Sequence, residues 1–465
     1  MRITSAKKPD PELALIVCQE GPGWADLPAA LQQSLGDALE RQPVACRASL
    51  ELIPQPLVVA VKGPPRATPL AWRRLAGQAA MQLTAERATG ASWWLPEAAD
   101  RTACAAGFAQ GAYRFDRYRP QAQACLKQLR LIGGGLPRAA ARLADHLDLC
   151  RDLVNTPTED MGPEQFVQQA RTACRGTGLR LRVLEEAACR KAGMGCLTGV
   201  GRAAAADRRP RLLCIDWPGT GAKTKKFLAL CGKGVCFDTG GLQIKPGKSM
   251  ELMRKDMGGA ATVLAAMIGI ASDRVARPVR AYLPLVENAI AGDAFRPGDV
   301  LTAMDGTTVE VGHTDAEGRL ILADAICLAR KEKAAAVVTV ATLTGAALVA
   351  LGRLHVPLMG TDEQLLPAIE TAAADTGERV WRLPLEDDHR RMVRSTIATI
   401  TNSAGPEAAC ITAGAFLAHF AKQTPFAHCD ISPASWIPGD HELGQAGATG
   451  VLVTSLIELA RRWRR

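Results

Sequence analysis

An apolar run, Phe227-Leu228-Ala229-Leu230, gives way at Gly232 to a stretch dense with charge, GKGVCFDTGGLQIKPGKSMELMRKDM, which ends at Met257. Ionic residues that follow a core strand this closely must lie where the sheet ends, because the sheet itself leaves them no water. Four lysines and two aspartates (Lys233, Asp238, Lys245, Lys248, Lys255 and Asp256) surround a Gly240-Gly241 turn. Further on lies a second acidic group, Asp315-Ala316-Glu317-Gly318-Arg319. Brought together, the two groups offer enough oxygen ligands for a pair of divalent cations. Three aspartates and a glutamate repel one another too strongly to converge unless cations neutralise them. Taken singly, each carboxylate serves equally well as a helix cap or the partner of a nearby lysine. Gly240-Gly241 and Gly258-Gly259 favour the collective reading, since they sit where backbone comes close to something or takes positive φ.

The rest of the chain alternates strand-like and helical runs. Glu12–Val17, Pro56–Val61 and Ser92–Leu95 read as strands and Ala71–Arg87 as a helix, an α/β pattern without a catalytic motif. Leu143, His146, Leu147, Cys150 and Val154 share one face of a helix predicted from Leu136 to Val154, where His146 reads as a core or interface histidine. Asn155-Thr156-Pro157 ends that helix, and Pro163 opens another. Strands follow at Arg211–Asp216, Lys226–Cys231, Val279–Val286, Thr308–Val311 and Ala335–Ala341, with helices at Gly258–Ile270 and from Thr454 to the end. The pattern predicts an α/β protein with a mostly parallel sheet flanked by helices, and ligands at the strand ends. A chain of 465 residues exceeds one typical core, so two domains are expected.

With 48% hydrophobic and 22% charged residues the composition is that of a globular enzyme and excludes a disordered chain. The formal charge of +9 is explained by a solvated surface, with an anionic partner as the other reading. Fourteen cysteines follow no framework spacing, and Cys214, Cys231 and Cys327 lie inside apolar runs, as free thiols in a reducing compartment do. Charges at Lys7, Lys8, Asp10 and Glu12 stand where a signal peptide needs an apolar run, so a cytoplasmic location is expected. Residues 334–352 carry no charge, but Thr339, Thr342, Thr344 and a β-branched start predict a buried strand, a Thr-Gly turn and a short helix rather than a membrane span. Neither a G-x-S-x-G elbow nor a phosphate-binding P-loop occurs, and His428 and Cys429, adjacent on a strand, point to opposite faces.

The strings GKGVCFDTGGLQIKP, LMRKDMGGAA and HTDAEGRLILADA closely resemble the signatures of the leucyl (cytosol) aminopeptidase family. The likeness extends through LVNTPTEDMGP, ATLTGA, FAHCDI and GATG, in order, from residue 153 nearly to the end. The resemblance implies a smaller N-terminal α/β domain over 1–135, a linking helix at 136–154 and a catalytic domain over 155–465 with two metals. It implies that Lys233, Asp238, Asp256 and Glu317 hold one divalent ion and Asp238, Asp315 and Glu317 the other. Zinc or manganese comes first, with magnesium or cobalt as alternatives. Lys245 and Arg319 match the two catalytic cations, with bicarbonate beside the arginine, while Met253, His313, Thr342, Leu343 and Gly345 match substrate-binding positions. The implied activity is removal of the first residue from peptides with a free N-terminus, by a homohexamer and without a membrane partner.

One position departs from the family pattern: His313 stands where asparagine is usual. It either reshapes the leaving-group side, adds a titrating group, or packs as a neutral ring. Ser432 and Ser435 are more polar than the usual pocket lining, so a strict preference for leucine is not expected. Lys248 and Lys255 are assigned to the surface or to structural roles. A second function class, an additional DNA-binding regulatory role, has the basic tail Arg461-Arg462-Trp463-Arg464-Arg465 in its favour, although a solvated helix end explains the same residues.

Overall fold

The computed structural model describes residues 1–19, 21–48, 53–120, 126–222, 224–439, 441 and 444–463. Arg464 and Arg465 of the basic tail lie outside these. The chain divides into two compact units, Met1–Asp148 with Ala374–Glu378 and Ile437–Thr449, and Leu149–Ala373 with Arg379–Trp436 and Gly450–Arg465. The boundary falls within the helix Arg138–Asn155, which ends at the Asn-Thr-Pro turn as expected.

The first unit holds a six-stranded sheet in the order Arg2–Ala6, Gln128–Ile132, Gly90–Trp94, Ala14–Cys18, Leu57–Val61 and Val44–Ala48. Its strand pairs are parallel except the last. Ala14–Cys18 is buried at every position, which requires cover on both faces. Helix Pro69–Ala85 starts with Thr68 accepting from the Ala71 amide and a proline in the first turn; Arg101–Ala112 starts with Asp100 accepting from Ala103.

The second unit is built on a mixed sheet whose centre is parallel. Its path is Val380–Arg382, Val356–Gly360, Phe426–Asp430, Ala336–Ala341, Leu228–Gly232, Val279–Asn288, Arg211–Trp217 and Arg180–Glu185. Gly234–Asp238 pairs parallel to the far end of Val279–Asn288. Leu228–Gly232 and Ala336–Ala341 are buried throughout, as central strands under helices must be. Phe227, Ala229 and Cys231 share one core cluster with Leu320, Ala323 and Cys327 of helix Glu317–Lys331, while the alternate residues Leu228 and Leu230 face the opposite side. The uncharged run 334–352 is the strand Ala336–Ala341 followed by helix Gly345–Leu351, and among the described residues no helix is long and apolar enough to cross a membrane. Thr308–Glu310 belongs instead to a separate three-stranded sheet with Val300–Thr302 and Ile400–Thr401, because a short turn over 303–307 folds it back antiparallel onto Val300–Thr302. That small sheet lies just ahead of the second acidic group.

Candidate metal centre

Both charged stretches leave strand ends of the second unit and meet. Lys233 follows Leu228–Gly232, Asp238 closes Gly234–Asp238, and Asp256 sits in the 3₁₀ turn Met253–Met257 that leads into helix Gly258–Ser272. Glu317 opens helix Glu317–Lys331, with Asp315 two residues earlier. Gly240 and Gly241 take φ of +88° and +66°, so the expected turn needs glycine. A Cβ on Gly318 would fall 2.5 Å from Cε of Lys233, and one on Gly259 2.1 Å from the carbonyl of Val340. Gly259 is therefore required by close backbone approach, and Gly318 leaves the room that the Lys233 side chain occupies.

Two ammonium groups are shared among four carboxylates. Lys233 Nζ lies 2.7 Å from Asp256 Oδ2 and 2.9 Å from Glu317 Oε1, and donates to the Thr342 carbonyl at 2.9 Å. Lys245 Nζ lies 3.0 Å from Asp238 Oδ2 and also pairs with Asp315. Asp238 is 2% exposed and Glu317 1% exposed. Donor oxygens of Asp238, Asp315 and Glu317 come within 4.8 Å of one another.

The balance of charge in this centre is negative. Burial, partly offset by Lys233, pushes the Asp256 carboxyl up to about 7, and burial together with Asp238 and Glu317 does the same to Asp315. Burial raises Asp238 as well. Glu317 is held below its ordinary value because Lys233 and Lys245 outweigh its burial. Burial opposes the charge on Lys233 and on Lys245, yet the surrounding acids hold both above the usual lysine range. Asp256 Oδ2, Glu317 Oε1 and Asp315 Oδ1 are buried and rest on the ion pairs with Lys233 and Lys245, and Glu317 Oε2 is buried with no hydrogen-bond partner among the described residues. A buried oxygen-rich cluster short of positive charge fits hard divalent cations.

Neutral side chains hold the acids in place. Asn288 Nδ2 donates to Asp238 Oδ1 at 2.8 Å, and Thr342 Oγ1 donates to Asp256 Oδ1 at 2.7 Å. Gln243 and Thr314 bind reciprocally, the Gln243 amide to Thr314 Oγ1 at 3.0 Å and the Thr314 amide to Gln243 Oε1 at 2.8 Å. Asn402 is fully buried, and its Oδ1 accepts from the Gly312 and His313 amides while its Nδ2 donates to the His313 and Ala316 carbonyls. Its own carbonyl accepts from Arg319 Nη1 at 2.7 Å, so one residue fixes both the loop of Asp315 and the guanidinium. Burial lowers Arg319 to about 10, which leaves it charged at neutrality. Sequence reading missed Asn402, Asn288 and Gln243: none carries charge, and nothing in a single chain marks a neutral amide that serves the backbone of a distant loop.

His313 Nδ1 accepts from the Asp315 amide at 3.0 Å, two residues on. An asparagine Oδ1 reaches the same i+2 amide in an Asx turn, so the imidazole reproduces the turn that its usual counterpart would form. Burial, Lys245 and Arg319 lower its pKa despite Glu317, so the ring is neutral at pH 7. The turn contact and the lowered pKa suit a neutral ring, and the ring also borders the cleft, as the leaving-group reading needs.

Every residue matched to a substrate or catalytic role borders one cleft of about 620 Å³, including Met253, His313, Thr342, Leu343, Gly345, Lys245 and Arg319. Ser432 lines it too, whereas Ser435 is buried with its hydroxyl unpartnered among the described residues. Lys248 and Lys255, assigned from sequence to the surface or to structural roles, also border the cleft. The reason is the turn Gly247–Met250 and the 3₁₀ segment Met253–Met257, which return the chain to the strand ends it has just left. His428 and Cys429 are both buried in strand Phe426–Asp430 and take no part in the cleft.

Comparison with known proteins agrees with this site. The chain is 41% identical over 369 residues to a probable cytosol aminopeptidase of Solibacter usitatus, covering 78% of this chain and 76% of that relative. A cytosol aminopeptidase structure from Coxiella burnetii, 30% identical, superposes with a TM-score of 0.84 over 100% of this chain and 99% of that one. The bottromycin maturation enzyme BotP in complex with manganese, 32% identical, gives 0.85 over 96% and 98%. The model of the cytosol aminopeptidase family catalytic domain matches residues 148–457, the segment that carries both acidic loops, and the chain accordingly belongs to that family of metal-dependent peptidases.

Proposed function

We propose that the protein removes the N-terminal residue from peptides at a centre of two divalent cations. Lys233, Asp238, Asp256 and Glu317 would hold one ion, and Asp238, Asp315 and Glu317 the other. The observation that supports this most strongly is the convergence of Lys233, Asp238, Asp256 and Asp315, with Lys245 and Arg319, on one cleft, while Glu317 is buried and paired with Lys233. As bound, such cations lower the pKa of a water and polarise a carbonyl. Lys233 acts as a ligand only as the neutral amine, and cations beside Asp256 and Glu317 would replace the charge that its ammonium supplies to them in this structure. Lys245 borders the cleft and donates to the substrate oxygen as negative charge develops there, a contribution of about 3 kcal/mol for one well-placed donor. Arg319, braced by the Asn402 carbonyl, would hold the bicarbonate. The acidic floor favours a free peptide amine over an internal amide, which gives exopeptidase selectivity.

Manganese has support from the metal in the BotP structure, and zinc from the mixed amine and carboxylate donors. A cytoplasmic location agrees with the name shared by the relatives. The homohexamer, and the division into 1–135, 136–154 and 155–465 with all chemistry in the last part, are part of the same reading. A panel of aminoacyl amides across added zinc, manganese, magnesium and cobalt tests it, on wild type and on His313→Asn. Hydrolysis that survives complete metal removal would overturn the reading. His313→Asn is expected to stay within about twofold, since both residues close the same turn.

A further inference from the structure

The acids of the cleft are already engaged, Asp256 and Glu317 by Lys233, and Asp238 and Asp315 by Lys245. Three more cations border the same cleft: Lys248, Lys255 and Arg353. No ion pair joins any of the three to a carboxylate among the described residues. Lys248 and Arg353 are exposed, whereas Lys255 is half-buried, with the cations Arg353 and Lys245 and the acid Asp256 in range. A partly desolvated ammonium surrounded by like charge is unfavourable until an anion joins it. The hydroxyls of Ser249 and Ser432 also line the cleft and are donors suited to a carboxylate. A volume of about 620 Å³ leaves room for a ligand of dipeptide or tripeptide size.

We propose that Lys248, Lys255 and Arg353 form a carboxylate-recognition rim, so that the preferred substrates are short peptides carrying a carboxylate close to the scissile bond. The proposal rests on the aminopeptidase reading and adds the class of substrate. The carboxylate has three sources: the side chain of the first residue, the side chain of the second, or the C-terminus of a dipeptide.

Three matched pairs separate them on the metal-loaded enzyme. Glutamyl amide against glutaminyl amide tests the first side chain, Leu-Glu amide against Leu-Gln amide the second, and Leu-Leu against Leu-Leu amide the terminus. In at least one pair, kcat/KM is expected to favour the carboxylate by about tenfold, the value of one charge-assisted hydrogen bond. Lys255→Met with Arg353→Met should bring that pair to within about twofold while hydrolysis of leucinamide is unchanged, and Lys255→Glu should invert it. Equal hydrolysis within all three pairs by wild type, or a preference that survives the double substitution, would overturn the carboxylate rim and leave the aminopeptidase reading intact. Failure to hydrolyse any member, leucinamide included, would instead sink the aminopeptidase reading and the rim with it.

Discussion

Lys233 lies between strands Leu228–Gly232 and Gly234–Asp238 and Lys245 in the loop after the second; each neutralises two acids, yet their surroundings differ. Lys233 is 3% exposed, packs against Gly318, and spends its third hydrogen on the Thr342 carbonyl. Lys245 sits at the cleft wall, within reach of a ligand. The first is built into the floor, and the second faces what enters. Charge alone would make them equivalents; in the proposed mechanism, depth separates the group that would complete the centre from the one that would act on substrate.

Removing each lysine is the sharpest way to break that contrast. Lys233→Ala strands Asp256 and Glu317 in the interior and should lower stability by about 3–5 kcal/mol, with bound metal lost, as read by chemical denaturation and elemental analysis. Lys245→Ala should keep metal and melting temperature but reduce kcat by about 10²–10³, the usual effect of losing one donor to a developing oxyanion. Equal metal loss in both variants would erase the distinction. Asn402→Ala extends the comparison to a group that touches neither metal nor substrate. Because it holds the Asp315 loop and Arg319 together, a fall of about 10–100-fold in kcat/KM with a smaller loss of metal affinity is expected. An effect confined to stability, with an unchanged pH profile, would reduce Asn402 to a packing role.

Proton linkage gives the smallest effect. With Asp256 and Asp315 raised to about 7 in the metal-free protein, the folded state binds more protons than the unfolded state between the ordinary carboxylate range and about pH 7. The contribution of these two acids to the stability of the metal-free protein should therefore fall as pH rises through that window and level off above it, against an opposite contribution from His428, which burial lowers to about 4. The raised lysines do not oppose this, since they titrate far higher. Metal competes with those protons, so loading should flatten the slope and grow tighter with rising pH. The difference in melting temperature between the metal-free wild type and Asp256→Asn should therefore change between pH 5 and pH 7, and a difference independent of pH would contradict the assignment.

The centre was legible where charge marked it. Lys233, Asp238, Asp256, Asp315 and Glu317 stood out because carboxylates and lysines after buried strands have few structural excuses, and the strands themselves were recovered to within a few residues. Lys248 is exposed, as its assignment to the surface expects, but that both Lys248 and Lys255 border the cleft could not be read from sequence, because it depends on the path of their loop, which turns back at Met253–Met257. Asn402 lay out of reach for a different reason: its partners, from Gly312 to Arg319, are some ninety positions away, and neutral amides leave no pattern. The equivalence of His313 to an asparagine became visible only through the Nδ1 contact with the Asp315 amide.

The reciprocal bonds between Gln243 and Thr314 close a span of 71 positions. Contacts of such separation form late, after the strand and helix between them have docked, because the closure entropy is met before the contact returns anything. A nascent chain that has emerged only as far as helix Gly258–Ser272 carries Lys233, Asp238 and Asp256 without Asp315 or Glu317. Three of the five proposed ligands are then present with nothing to brace the loop of Gln243, so ion capture would belong to the end of synthesis, and premature loading by an abundant wrong ion would have little to hold it.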